Sequence, residues 1–310
     1  MACPATNNTD LLNVLEYGLH HLIVLPIFVL NISIICCLLF VNPSLPNLFY
    51  KLYALSAVQS CFTYFLEFGF YRGIGYLTIF QCEMVRAFGT PSYALTPFYV
   101  LTYYFDFSQL FCYMFMTVNR MSAIAMPVHH RKIWKTAFPF SIVFCLLTPF
   151  AFCFEVIAPT VVFPGANANA ISYIKFLEWL SAGAVTAGLY IGIMVITTTC
   201  TIVTLLYLRK IENRVKTTER SLALVSTVIA VSIFLRAVVQ YLFAIMDRTT
   251  YHYHLVIIIR YYLGDFAYVS GPLTLVVMCS ETRSRLRRFW GFRSAQVTLV
   301  VPSVTKTSHH

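Results

Sequence analysis

Seven long apolar stretches dominate this sequence and constrain its fold more than any other feature. Each is about 20 residues or longer, the length that an α-helix needs to cross a hydrocarbon layer of roughly 30 Å. Only 11% of the 310 residues are charged, against about a quarter in ordinary soluble domains. The composition therefore excludes a water-soluble enzyme and predicts an all-α, polytopic membrane protein whose helices face lipid. The predicted spans are residues 19–41, 48–70, 97–118, 138–163, 183–208, 221–246 and 255–279.

The connections between the spans are short, so we expect no separate soluble domain. Residues 1–18 form a predicted extracellular head, residues 19–279 the seven-helix bundle and residues 280–310 a cytoplasmic tail. Three apolar residues of the tail recur among arginines at spacings of three and four, which predicts a short amphipathic helix on the inner membrane surface. These three residues are Leu286, Phe289 and Trp290.

The basic residues predict the orientation of the bundle. Sixteen of the 22 Lys and Arg residues fall on one side of the predicted membrane, four on the other side, and two within spans. Positive residues are retained in the cytoplasm, so the N-terminus is expected outside and the tail inside. Arg72 is one of the four basic residues assigned to the outer side.

Two features of the outer side are consistent with this orientation. Asn7 begins an Asn-Asn-Thr glycosylation acceptor in the head. Cys3 and Cys82 are the two cysteines clearly on the outer side, where the oxidising compartment allows a disulfide between head and second connection. The two cysteines can equally stay unpaired or lie too far apart to bridge.

Six ionisable residues lie within the predicted spans, where each needs a partner, a cavity or the membrane interface. All six fall near the middle or in the outer half of their spans, which predicts a polar cavity open to the outside. They are Glu67, Asp106, Glu155, Arg236, Arg260 and Asp265.

Residues at helical spacing along the third span supply one wall of this cavity. The predicted small-molecule site comprises Tyr99, Tyr103, Asp106, Arg236 and Asp265. An alternative interpretation is an internal salt bridge, in which Arg236 pairs with Asp106 or Asp265 only to hold helices together.

Other functions leave weaker signals. Intramembrane charges also occur in transporters and channels, but this chain shows no matching halves and has an odd number of spans. No Cys-x-x-Cys pair, phosphate-binding loop or His-Glu-x-x-His motif is present. We therefore predict no catalysis, cofactor, metal site or nucleic-acid partner, and keep a transporter or channel as the alternative function.

At the inner end of the third span, Asn119-Arg120 is followed by Pro127 and Trp134. This pattern resembles the nematode serpentine chemoreceptors, most closely their class gamma family. Glu219-Arg220-Ser221-Leu222 at the start of span six also follows the family pattern, as does the series Asp265, Pro272, Ser280 and Arg283. The tripeptide Asn119-Arg120-Met121 departs from the Asp-Arg-Tyr form of common G-protein-coupled receptors.

The resemblance implies a receptor in the plasma membrane of sensory neurons that recognises a small environmental or pheromonal molecule. It also implies signalling through a heterotrimeric G protein. The residues expected to contact that partner are Asn119, Arg120, His130, Arg131, Lys132, Trp134, Arg214, Lys216 and Arg220. Basic residues at these positions can instead set topology and bind anionic membrane lipids.

Overall fold

The computed structural model is almost entirely helical and describes residues 8–38, 48–162, 171–175, 181–210, 217–246 and 251–291. A π-helical segment, Tyr64–Tyr71, continues α2 into α3, a short 3-10 turn follows α6, and two short strands form a hairpin. The helices in this part of the chain are α1 Asn8–Cys36, α2 Leu48–Thr63, α3 Arg72–Tyr76, α4 Thr78–Phe88, α5 Thr96–Ala125, α6 Pro127–Phe152, α7 Ala182–Lys210, α8 Thr217–Ile245, α9 Tyr251–Met278 and α10 Ser280–Phe289; the strands are β1 Thr160–Val162 and β2 Ile171–Tyr173.

Membrane-span character is clearest in four of the described helices. By length and hydropathy α1, α6, α7 and α8 qualify as spans, and α9 joins them if it is counted together with α10, which bends away from it by 94°. Their outward faces carry exposed leucine, valine and phenylalanine side chains, as contact with lipid requires. The all-α membrane fold is thus confirmed, whereas the number of spans and their orientation stay predictions.

Helix α5 is the centre of the bundle and packs against α2, α6, α7 and α8. Two of its polar side chains bond directly to α6: Ser108 donates to the Cys145 carbonyl over 2.6 Å, and Tyr104 donates to the Leu146 carbonyl over 2.9 Å. From α2, the Gln59 amide donates to the Ser108 hydroxyl over 2.5 Å. Such bonds join helices inside lipid, where apolar surfaces alone give little preference for one packing.

The π-helical segment changes the direction of the side chains that follow α2. A π turn widens the helix locally and rotates later residues relative to a regular α-helix, and such turns are frequent at functional sites. Here Glu67, Phe68 and Tyr71 point into the bundle interior, followed by Arg72 at the start of α3. The helix therefore continues past the predicted end of span two.

The ends of two other elements also differ from the predicted spans. Helix α1 already begins at Asn8, within the segment predicted as the head, and α6 ends at Phe152. Beyond α6 the backbone of β1 pairs antiparallel with β2, and Ser92 bridges to Thr160. These ladder bonds satisfy the backbone of both strands outside a helix.

The charge distribution assigned Arg72 to an outer connection. In the structure the residue is buried, with 1% of its surface exposed. Its Nη1 atom is 2.7 Å from Oδ1 of Asp265 in α9, and His20 of α1 bonds to the other oxygen of that carboxylate. Gly264 makes room for this side chain, because a Cβ atom there would lie 3.2 Å from Arg72 Nη2. The cluster joins α1, α3 and α9.

The predicted amphipathic helix after the seventh span is present as α10. Leu286 is buried against the bundle, Phe289 and Trp290 are exposed, and Arg287 and Arg288 occupy the last turn. Basic side chains near the C-terminal end of a helix are favourable for its dipole. Its contact with the inner membrane surface stays a prediction.

We expect Asp265→Asn to destabilise the protein by about 3–5 kcal/mol, since removing one partner leaves Arg72 buried without its counter-charge. Thermal unfolding of the detergent-solubilised protein measures the effect. The matched control is Glu83→Gln, which removes the exposed carboxylate 3.8 Å from Arg86 on α4 and should cost less than about 1 kcal/mol. Equal losses in the two variants would contradict the structural role of the cluster.

Candidate functional site

A polar cavity lies inside the bundle between the π-helical segment, α5, α8 and α9. Its volume is about 60 Å³, enough for a few water molecules or one small polar group. Three of the five predicted ligand residues, Tyr103, Asp106 and Arg236, line this inner cavity. The structure thus brings three of the predicted side chains, from α5 and α8, together in the inner cavity.

The ion pair between Asp106 and Arg236 is the main polar contact of the inner cavity. Arg236 Nη2 lies 2.9 Å from Asp106 Oδ1, and the Tyr190 hydroxyl of α7 donates to Oδ2 over 2.8 Å. The guanidinium also lies over the Tyr190 ring, 4.9 Å from its centroid. Of the two partners considered for Arg236, the structure selects Asp106. Both charged side chains remain about a quarter exposed to the cavity.

Asp265, the fourth predicted ligand residue, has a different position. Its side chain is 6% exposed and lies in the cluster with Arg72 and His20. It is absent from the described lining of the inner cavity, whereas Arg72 is part of that lining. The carboxylate therefore lies behind the cavity wall and fixes the arginine that faces inward.

Tyr99, the fifth predicted residue, lines a second cavity nearer the predicted outer end, called the outer cavity below. This outer cavity has a volume of about 320 Å³, and it is lined by residues of β2, of α5 and α9, of the start of α7 and of the end of α8. The hydroxyls of Tyr99 and Tyr103 are 3.5 Å apart. Three residues, Tyr71, Tyr103 and Arg260, line both cavities, so they form the junction between the two.

The hairpin supplies part of the outer cavity wall through Tyr173. Its hydroxyl donates to Glu155 over 3.2 Å and accepts from the Ala182 backbone N–H over 2.8 Å. Burial raises the pKa of Tyr173 to about 12; the bond from Ala182 opposes the rise and the Glu155 carboxylate adds to it. Tyr173 is therefore a neutral hydrogen-bonding group at physiological pH, and it fixes the hairpin to the start of α7.

At the opposite end of α5, Arg120 is buried and paired with α8. Its Nη1 atom is 2.6 Å from Glu219 Oε2, and Nη2 is 2.6 Å from Asn119 Oδ1. The guanidinium also lies 4.8 Å from the centroid of the Phe49 ring of α2. Side chains of three helices therefore hold this arginine inside the bundle.

The neighbouring predicted coupling residues are divided between buried and exposed positions. Trp134 is buried and donates to the Ser122 hydroxyl over 2.7 Å, and His130 lies 3.0 Å from the same hydroxyl. Arg131 and Lys132 are exposed on α6. Arg220 is partly buried on α8, whereas Arg214 and Lys216 lie outside the described residues.

Two outer-side predictions remain open. Cys82 takes part in a disulfide, but Cys3, its predicted partner, lies outside the described residues, and so does the glycosylation acceptor Asn7. The identity of the pair and the modification therefore stay predictions.

Sequence reasoning missed four residues of these networks: Arg72, His20, Tyr190 and Glu219 as the partner of Arg120. Arg72 follows a long apolar run and is indistinguishable in sequence from a residue at the membrane surface. Tyr190 lies in a stretch of α7 without charged residues, and His20 lies next to His21 near the start of an apolar run, so neither position stands out in the sequence. The position of Glu219 at the start of span six, opposite Arg120 in the predicted topology, was a usable signal.

A double-mutant cycle tests the cavity pair. We expect Asp106→Asn and Arg236→Gln each to destabilise the protein, and the double variant to cost less than the sum by about 0.5–3 kcal/mol, the range for residues in contact. Thermal unfolding in one detergent provides the four values. Arg86→Gln combined with Asp106→Asn is the control and should be additive; additivity within the pair itself would contradict the observed contact.

Comparison of the sequence with known proteins identifies the family of this chain. The family description "Srg family chemoreceptor" matches residues 17–286. Serpentine receptor class gamma-2 of Caenorhabditis elegans is 29% identical over 281 residues, 87% of this chain and 83% of that receptor. Class gamma-10 of the same organism is 24% identical over 274 residues, 88% and 85% of the two chains, and class gamma-5 is 30% identical over 173 residues, 54% and 53%. The chain belongs to the Srg family of serpentine chemoreceptors.

Proposed function

We propose that this chemoreceptor binds a small environmental or pheromonal molecule from the extracellular side and signals through a heterotrimeric G protein. It acts in the plasma membrane of sensory neurons, without catalysis and without a cofactor. The ligand enters through the outer cavity, and Tyr99, Tyr103, Asp106 and Arg236 line its path. Asp265 acts indirectly, because it holds Arg72 in the cavity wall.

The proposal rests on one observation: two separate ion pairs join the same two helices, α5 and α8. Asp106–Arg236 joins α5 to α8 at the cavity, and Arg120–Glu219 joins α5 to α8 at the inner end. Asp106 and Arg120 are fourteen positions apart, about 21 Å along a helix. A ligand that competes for the cavity pair therefore acts on the same helix packing that holds Arg120.

Arg120 is inaccessible to a partner while Glu219 holds it. A ligand shifts a receptor between two packings only by binding one of them more tightly. In the packing that binds the partner, α8 moves away from α5 at the inner end and frees Arg120. The exposed Arg131 and Lys132 then contact the G protein together with Asn119, His130, Trp134, Arg214, Lys216 and Arg220. Basic residues of this face also contact anionic membrane lipids.

Glu219→Gln should raise second-messenger signalling in the absence of ligand, because the packing in which Glu219 holds Arg120 loses a charged contact. Coupling energies of about 1–3 kcal/mol correspond to a change of roughly 5- to 150-fold in the ratio of the two packings. Arg120→Ala should abolish signalling, and Glu281→Gln, which removes the surface pair with Arg285, should leave it unchanged. Signalling is measured in cells with matched surface expression.

Two results would contradict the proposal. One is an unchanged basal signal in Glu219→Gln together with a full response in Arg120→Ala. The other is a substrate flux or ionic current that appears without a second messenger, which would favour a transporter or channel.

A further inference from the structure

Arg260 of α9 is the cation that the networks above leave without a counter-ion. Within the described part of the chain its guanidinium has no ion pair and no hydrogen bond, and its recorded contact is with the Phe243 ring, 4.9 Å from the centroid. It lines both the inner and the outer cavity. A guanidinium in such a place needs either water or an anion.

The carboxylates around the inner cavity are already engaged by other arginines. Asp106 pairs with Arg236 over 2.9 Å, Asp265 pairs with Arg72 over 2.7 Å, and Glu67 lies 3.5 Å from the Nε atom of the same Arg72. None of them lies within ion-pair distance of Arg260 in the described structure. The guanidinium of Arg260 therefore faces the junction between the cavities without a direct counter-ion, and the Glu67 carboxylate acts on it electrostatically only from beyond ion-pair distance.

The other two residues of the junction are tyrosines 71 and 103. Their hydroxyls can donate hydrogen bonds to an anion, and their rings give apolar walls. Arginine donates through a planar fork that matches a carboxylate or sulfate, and bonds to charged acceptors are stronger than neutral ones. A protonated amine at the junction would be repelled by the Arg260 guanidinium.

We propose that Arg260, Tyr71 and Tyr103 form a subsite for the oxyanion of a small, singly charged ligand, a carboxylate or a sulfate ester. The apolar body of the ligand packs against the aromatic walls of the adjoining cavities. This inference rests on the proposed receptor function and specifies the chemical class of its ligand.

Binding is tested on the purified full-length chain in lipid nanodiscs, without any signalling partner. The probes are 4-phenylbutyrate and octyl sulfate, compared with methyl 4-phenylbutyrate and octanol. We expect saturable thermal stabilisation by the two anions and not by the neutral compounds. Arg260→Gln should weaken anion binding by about 10- to 100-fold, the effect of losing a bond to a charged group.

Three variants separate a binding role from a folding role. Tyr103→Phe removes only a hydroxyl and should weaken anion binding several-fold, and Arg260→Lys should retain part of it. Arg86→Gln removes an exposed arginine on the outer side and should bind as the unaltered protein does. No saturable stabilisation, equal stabilisation by the neutral compounds, or unchanged affinity in a folded Arg260→Gln protein would each overturn the proposal.

A second arm distinguishes this inference from the receptor function itself. Cells that express the chain are challenged with small-molecule extract divided into fractions retained by an anion-exchange column and fractions that pass through. Signalling confined to the retained fractions supports the inference. Signalling from the unretained fractions alone overturns it but keeps the receptor function, whereas anion binding with flux and no second messenger overturns the receptor function alone.

Discussion

The need to neutralise each charge within the membrane is the constraint on which the rest of this structure depends. A charged side chain in lipid costs several kcal/mol unless it finds a partner or a water-filled cavity. The chain meets this need with arginine–carboxylate pairs that each join two helices: Asp106–Arg236 between α5 and α8, Arg72–Asp265 between α3 and α9, and Arg120–Glu219 between α5 and α8. The pairs therefore determine which helices are neighbours and at which level, and they leave Arg260 facing the two cavities.

The ion pairs differ in how accessible they are in two parts of the bundle. Around α9 the Arg72 cluster is almost fully buried and adds His20 of α1, so it acts as a fixed support. Between α5 and α8 the cavity pair keeps about a quarter of each side chain accessible, so another molecule can compete for it. Changes in packing that transmit a signal need contacts with two possible arrangements. Another molecule can compete for the partly accessible α5–α8 cavity pair, whereas the Arg72–Asp265 pair is closed to one.

Much of this arrangement is predictable from sequence, and the limits have physical causes. The length of the apolar stretches predicted the helices, and helical spacing along α5 predicted one wall of Tyr99, Tyr103 and Asp106. In the structure Tyr103 and Asp106 line the inner cavity, and Tyr99 lines the outer one. The alternative of an internal salt bridge was also correct in part, because Arg236 pairs with Asp106 in the structure. Spacing along one helix does not tell which helix lies opposite, so the preference of Arg236 for Asp106 over Asp265 was left open. The position of Arg72 was missed because a π-helical segment changes the register of the preceding helix, and no residue pattern marked it.

The central claim is that the cavity pair and the inner pair act on one and the same packing of α5 against α8. Hydrogen–deuterium exchange measures local opening of a helix directly. We would compare residues 117–125 and 219–226 in the unaltered protein and in Asp106→Asn, with Arg86→Gln as the control. The account predicts faster exchange at these inner segments in Asp106→Asn although the substitution lies about 21 Å away along α5. Faster exchange confined to the cavity, with the inner segments as protected as in the unaltered protein, would contradict it.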